Sequence, residues 1–182
     1  MSITSCAKHH AKENYIITIW TTPDNSHMQS YIDKFKEYKN IEVKTTNSDN
    51  VRNHVLLTIG GCWFDAKYIF LKQLEPLFWT YGRYVCVFNN GTTKDINDSF
   101  IMSLTPERSD FKSFLNNDLI NVLMLPSSWI DPISVDNPFG KQNDYSVVYE
   151  KMIVPESYMI HCGDEEHVIK GGSLIDRLIE DE

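Results

Sequence analysis

Between residues 15 and 125 the chain alternates two kinds of apolar pattern, and that alternation narrows the folds open to it more than any other feature. Short β-rich runs fall at residues 15–20, 41–46, 55–59, 84–88 and 119–125. Turn-forming groups bound most of them: Thr22-Pro23-Asp24-Asn25, Asn47 with Asn50, Gly60-Gly61, and Asn89-Asn90-Gly91. Between the runs, apolar residues recur three or four apart, the period of one helix face. Met28, Tyr31, Ile32, Phe35 and Tyr38 predict a helix that ends at Asn40. Phe64, Tyr68, Leu71, Leu74 and Leu77 predict a second, with Pro76 marking a break or kink near its end. Thr105-Pro106-Glu107 predicts a helix start leading into Phe111, Phe114 and Leu115. Strands that alternate with helices predict an α/β fold with a mixed sheet.

A chain of 182 residues accommodates one full domain but not two independent large ones. The expected organisation is a flexible leader over 1–14, an α/β core over 15–125, and an irregular extension over 126–182 packed on the same core. Pro126, Pro132, Pro138 and Gly140 among polar residues are the reason for the irregular part. Within it, 145–154 and 158–161 predict strands, and 173–182 predicts a short acidic helix capped by Ser173.

Hydrophobic residues at 42% and charged residues at 23% exclude the profile of a disordered chain. A formal charge of −8 opposes attraction to phosphate backbones and anionic lipid, so neither nucleic acid nor membrane is expected as a partner. No stretch approaches the roughly 18 apolar residues of a bilayer span, and the first residues carry no export-type apolar run. Cys6, Cys62, Cys86 and Cys162 lie far apart, which argues for reduced thiols and a cytoplasmic protein. No cofactor is expected; a protein partner or a small anionic ligand is.

The most specific local pattern pairs Thr21-Thr22-Pro23-Asp24-Asn25-Ser26-His27-Met28 with Ile59-Gly60-Gly61-Cys62-Trp63-Phe64-Asp65. Together these resemble the glutaredoxin branch of the thioredoxin fold over residues 15–80. The resemblance implies a strand-turn-helix start in the first motif and, in the second, backbone N–H groups at a helix opening that hold an anion. It points to Thr22, Pro23, Asn25, Gly60 and Gly61 as binding residues. Asn25 and Met28 stand where the two redox cysteines would be, so dithiol exchange does not carry over. The expected function is therefore a non-redox binding or protein-interaction module on a thioredoxin-like or related scaffold.

Two enzyme readings stand beside it. Gly60-Gly61-Cys62-Trp63 superficially resembles the nucleophile segment of papain-like cysteine peptidases, which implies Cys62 as nucleophile with His161 or His167 as base. Asp24, with Glu42 and Lys44, matches the letters of a metal-dependent nuclease motif, although a predicted helix separates the carboxylates. Cys6, His9 and His10 near one end and His161, Cys162 and His167 near the other are zinc-type ligands without an established spacing, so no metal is assigned.

Overall fold

The computed structural model describes residues 2–10, 15–23, 33, 35, 38–48, 50–88, 97–105, 109–116, 122–130 and 156–161. Its central feature is a run of three apolar residues, Phe100, Ile101 and Met102, all with no exposure to solvent. They lie in β6 (Asn97–Ser103). This strand pairs antiparallel with β3 (Gly61–Phe64) on one side and with β5 (Val85–Phe88) on the other. β5 in turn pairs parallel with β7 (Val122–Leu125), giving the order β3-β6-β5-β7.

Because side chains alternate across a strand, this sheet has two apolar faces, and each needs a cover. On the first, Phe100, Met102, Cys86, Phe88 and Leu125 are joined by Cys62, Phe64 and Leu123. Its cover is supplied by Cys6 and Ala7 of α1 (Ser2–His10), Tyr68 and Phe70 of β4 (Tyr68–Phe70), Leu77 of α3 (Glu75–Tyr81), Ile130 of α5 (Ser127–Ile130) and Met159 of β8 (Met159–His161). On the second face Val85, Val87 and Ile101, with Trp63 and Val122, pack against Leu56 of α2 (Val51–Thr58) and against Phe111 and Phe114 of α4 (Ser109–Leu115). The result is the α/β architecture that the alternation predicts: a mixed sheet between two covering layers.

Two small sheets flank it. β4 and β8 form an antiparallel pair, and β1 (Ile17–Thr21) and β2 (Ile41–Thr45) a parallel one. The β1–β2 register sets Thr18 opposite Glu42 and Trp20 opposite Lys44. That face is polar: the Thr18 hydroxyl donates to Glu42 Oε1 at 2.6 Å, and Lys44 Nζ lies 2.7 Å from the same oxygen. The other face turns Ile17 and Ile41 to the core.

Several local expectations change. Residues 55–59 are not a strand; they end α2, whose Leu56 is buried against Trp63 and Phe111. Gly60, at φ 77°, stops this helix, its N–H bonding the Val55 carbonyl at 3.1 Å. A side chain there would set its Cβ 2.7 Å from the Leu104 carbonyl oxygen, so glycine is required twice over. The helix expected from Phe64 to Leu77 is instead the end of β3, then β4, then α3, with Pro76 in the first turn of α3 rather than at a break. Residues 1–14, expected as a flexible leader, carry α1 with Cys6 and Ala7 in the core. Part of the expected irregular extension forms α5. Most of the helix expected over 26–40, the strand over 145–154 and the helix over 173–182 lie outside the described residues.

Phe100→Ala opens a cavity at the sheet's centre and is expected to lower unfolding stability by about 3–5 kcal/mol in urea titrations. Trp79→Ala, at a residue 83% exposed on α3, is expected to cost less than about 1 kcal/mol.

Candidate functional site at the carboxyl edge of the sheet

The strand directions define two unlike edges. β3 and β5 are both antiparallel to β6, so they run the same way, and β7 joins them. Three of the four strands thus end on one edge, at Phe64, Phe88 and Leu125. In open α/β sheets that carboxyl edge is where ligands collect, because the turns leaving the strands bring polar groups together outside the packed layers.

The turns here are polar. Phe64 is followed by Asp65 and Lys67, both exposed, and Leu125 by Pro126, Ser127 and Ser128. Asn89-Asn90-Gly91-Thr92-Thr93 follow Phe88 in the sequence and lie outside the described residues. β6 enters at this edge irregularly: Val87 pairs with Ile101, but Phe88 pairs with Asn97, a slip that bulges residues 98–100 away from β5. Bulges of this kind re-aim side chains next to functional edges. Two bonds hold the bulge to the β3–β4 turn. The Asp65 N–H donates to the Ser99 carbonyl at 2.9 Å, and the Tyr68 and Ser99 hydroxyls share a buried hydrogen bond at 2.6 Å.

The residues singled out from sequence do not assemble into one site. Gly60 and Gly61 lie at the opposite edge, where Gly61 pairs with Ser103, and they open a strand, so no helix start is there to hold an anion. Thr22 and Pro23 are exposed just beyond β1; Asn25 is outside the described residues. Cys62 sits within β3 opposite Met102, its side chain packed on the first apolar face. Burial, with Cys6 and Cys86 nearby, pushes its thiol well above the ordinary range, the reverse of an activated nucleophile. His161 pairs with Tyr68 on β8, a different sheet. Glu42 and Lys44 form a solvated pair on β2, Lys44 and the Thr18 hydroxyl holding the Glu42 carboxyl below its usual range; Asp24 is outside the described residues. Both ring nitrogens of His10 are taken by backbone groups. Among the described residues no group of three or more His, Cys, Asp or Glu is placed to hold a metal ion, and no helix is long and apolar enough to cross a membrane.

Sequence reading missed Lys67, Ser99 and the hydroxyls of α5, and took Asp65 as part of a helix opening. Reading 61–64 as a strand ending in an Asp-Ala-Lys turn would have pointed to Asp65 and Lys67, but not to Ser99 or the α5 hydroxyls.

No protein-family model matches the chain. No curated protein matches it by sequence. Its fold is similar to that of the glycosyltransferase GlyE from Streptococcus pneumoniae TIGR4: TM-score 0.61 at 10% identity, over 99% of this chain and 56% of GlyE. The apo-form of GlyE gives 0.60 at 10% identity over 99% and 55%. An active-site mutant of LgtC gives 0.59 at 11% identity, over 99% of this chain and 90% of LgtC. The chain spans just over half the length of the GlyE structures, and at these identities the likeness is one of fold. It nevertheless extends over 99% of this chain. That overturns the expected non-redox binding or interaction module, and the burial of Cys62 removes the ground for the cysteine-dependent alternative, while Asp24 of the nuclease alternative lies outside the described residues.

Burial also pushes the Cys86 thiol up to about 12. Iodoacetamide at pH 8 is therefore expected to label Cys62 and Cys86 at least about tenfold more slowly in the native protein than in urea. Fast native labelling of Cys62 at pH 6.5 would contradict the placement of its side chain.

Proposed function

We propose that the chain is a glycosyltransferase that binds a sugar nucleotide at the carboxyl edge of its central sheet. The observation that carries this reading is the fold likeness to GlyE over 99% of the chain. The polar turns that follow β3 and β7 on that edge support it. In such a transfer the bond from the sugar's anomeric carbon to the diphosphate breaks, and a bond from that carbon to an acceptor hydroxyl oxygen forms. The acceptor's proton leaves to a base, and the nucleoside diphosphate departs with the bonding pair.

In this reading Lys67 offers a cation to the diphosphate. Asp65 and the Ser127 and Ser128 hydroxyls offer partners to sugar hydroxyls, and the Asp65 carboxylate receives the acceptor's proton. A cytoplasmic location belongs to the same reading, and the free thiols of Cys6, Cys62 and Cys86 support it.

The test is a panel of nucleoside-diphosphate sugars, read by thermal shift and by release of nucleoside diphosphate. One donor class is expected to raise Tm, since ligand at about 100 times its Kd adds about 2.7 kcal/mol to stability. The same donor is expected to turn over, with at least a tenfold loss in Asp65→Asn and weaker donor binding in Lys67→Met. A panel that neither stabilises the protein nor releases nucleotide would overturn the proposal.

A further inference from the structure

His10 closes the last turn of α1 and is 5% exposed. Its Nδ1 lies 3.0 Å from the Cys6 carbonyl oxygen, and its Nε2 lies 3.0 Å from the backbone N–H of Leu74. A carbonyl only accepts and an amide N–H only donates, so Nδ1 carries the proton and Nε2 presents its lone pair. This is the neutral ring in a single tautomer. Leu74 is the N-cap position of α3, and no side chain of its own caps that helix. The lone pair of His10 therefore satisfies a helix-start donor across 64 residues of sequence.

Other contacts converge on the same place. Ser5 Oγ accepts the Phe70 N–H at 3.1 Å, so α1 holds β4 and the start of α3 by two amides. Asn40 Nδ2 donates to the His10 carbonyl at 3.0 Å, tying the end of α1 to the entry of β2. Phe70 and Tyr15 meet the imidazole edge-on at 5.4 and 6.0 Å.

We propose that His10 is an acid-operated latch: its neutral ring holds α1 over the first face of the central sheet, and its protonation releases α1. Protonated Nε2 would set an N–H against the N–H of Leu74, replacing an acceptor by a donor in a site closed to water. The surroundings offer the cation little compensation. On its own helix, His9 adds like charge and the Cys6 sulfur, 3.9 Å from Nδ1, belongs to a thiol that burial pushes up to about 12. Exposed Lys8 is a further cation on α1. Across the interface Tyr15 and Phe70 present rings, while Glu75, the first residue of α3, bonds Tyr15 and the Trp79 indole N–H.

Burial accordingly lowers the His10 pKa from its ordinary 6.5, against the opposing hydrogen bond to Cys6. With the folded value depressed, the latch's stabilisation is complete above the unfolded value. It declines as pH falls below about 6.5 and is gone once pH passes the folded value.

Cys6 reports the release, because it lies on α1 and is buried only while α1 packs on the sheet, and Cys86, in the centre of the sheet, reports global unfolding. The experiment follows labelling of both by 4,4′-dithiodipyridine, which reacts in acid, by mass spectrometry between pH 7.5 and 5.0. The Cys6 to Cys86 labelling ratio is expected to rise at least about tenfold in the wild-type protein and to stay level in His10→Gln, whose amide oxygen keeps an acceptor toward Leu74 without titrating. A ratio that stays level in the wild type, or climbs equally in His10→Gln, would overturn the latch. Should His10→Gln fail to fold, an imidazole NMR titration of the wild-type chain decides: a His10 pKa below 6.5 agrees with the latch, and one at or above 6.5 contradicts it.

Discussion

The arrangement depends on the burial of a single strand from both sides. Phe100 and Met102 face one layer and Ile101 the other, and all three are sealed from water. Fully burying side chains of this size contributes about 1.5–3 kcal/mol each, but only if both covers are present. That demand explains why α1, β4 and α3 lie over one face while α2 and α4 lie over the other. It also explains why α2 keeps its helix through an apolar run that would suit a strand, since Leu56 is needed on the second face.

The direction of the strands then decides where polar groups can gather outside the packed layers. With β3, β5 and β7 leaving the sheet on one edge, the polar turns after Phe64 and Leu125 are set along that edge, outside the packed layers. The slip between Val87 and Phe88 lets β6 enter that edge out of register, and the Tyr68–Ser99 and Asp65–Ser99 bonds fix the slip in place. The opposite edge is tight, with Gly60 against the Leu104 carbonyl, and its left-handed backbone there serves the helix stop. The fold likeness to GlyE and LgtC and the polar carboxyl edge are thus two results of one topology.

The α/β class was legible because β1, β2, β5 and β7 each carry a short β-rich run between turn signals, and α4 carries its apolar residues at helical spacing. Three places were not legible, each for a physical reason. Val55-Leu56-Leu57-Thr58-Ile59 has strand-like composition, and only its tertiary partners make it a helix. Gly60-Gly61 marks an end in either case, and the sequence does not say whether a helix or a strand is ending. The central strand was passed over because its polar entry, Asn97-Asp98-Ser99, looks like a turn and its apolar part is three residues long. Missing β6 hid the sheet order, and with it the carboxyl edge. That is why Gly60, Gly61 and Cys62 drew attention while Asp65, a few residues on, was counted with them as the opening of a helix.

The most direct test of this account maps where a nucleoside diphosphate binds on the isotopically labelled chain. Backbone amide shifts on titration are predicted to concentrate at 65–68, at 97–99 and at 127–128, where β3 and β7 end and β6 enters, and to leave 60–62 and 103–104 at the opposite edge unmoved. Shifts confined to the Gly60–Gly61 edge, or spread over β1 and β2 with the carboxyl edge silent, would contradict it.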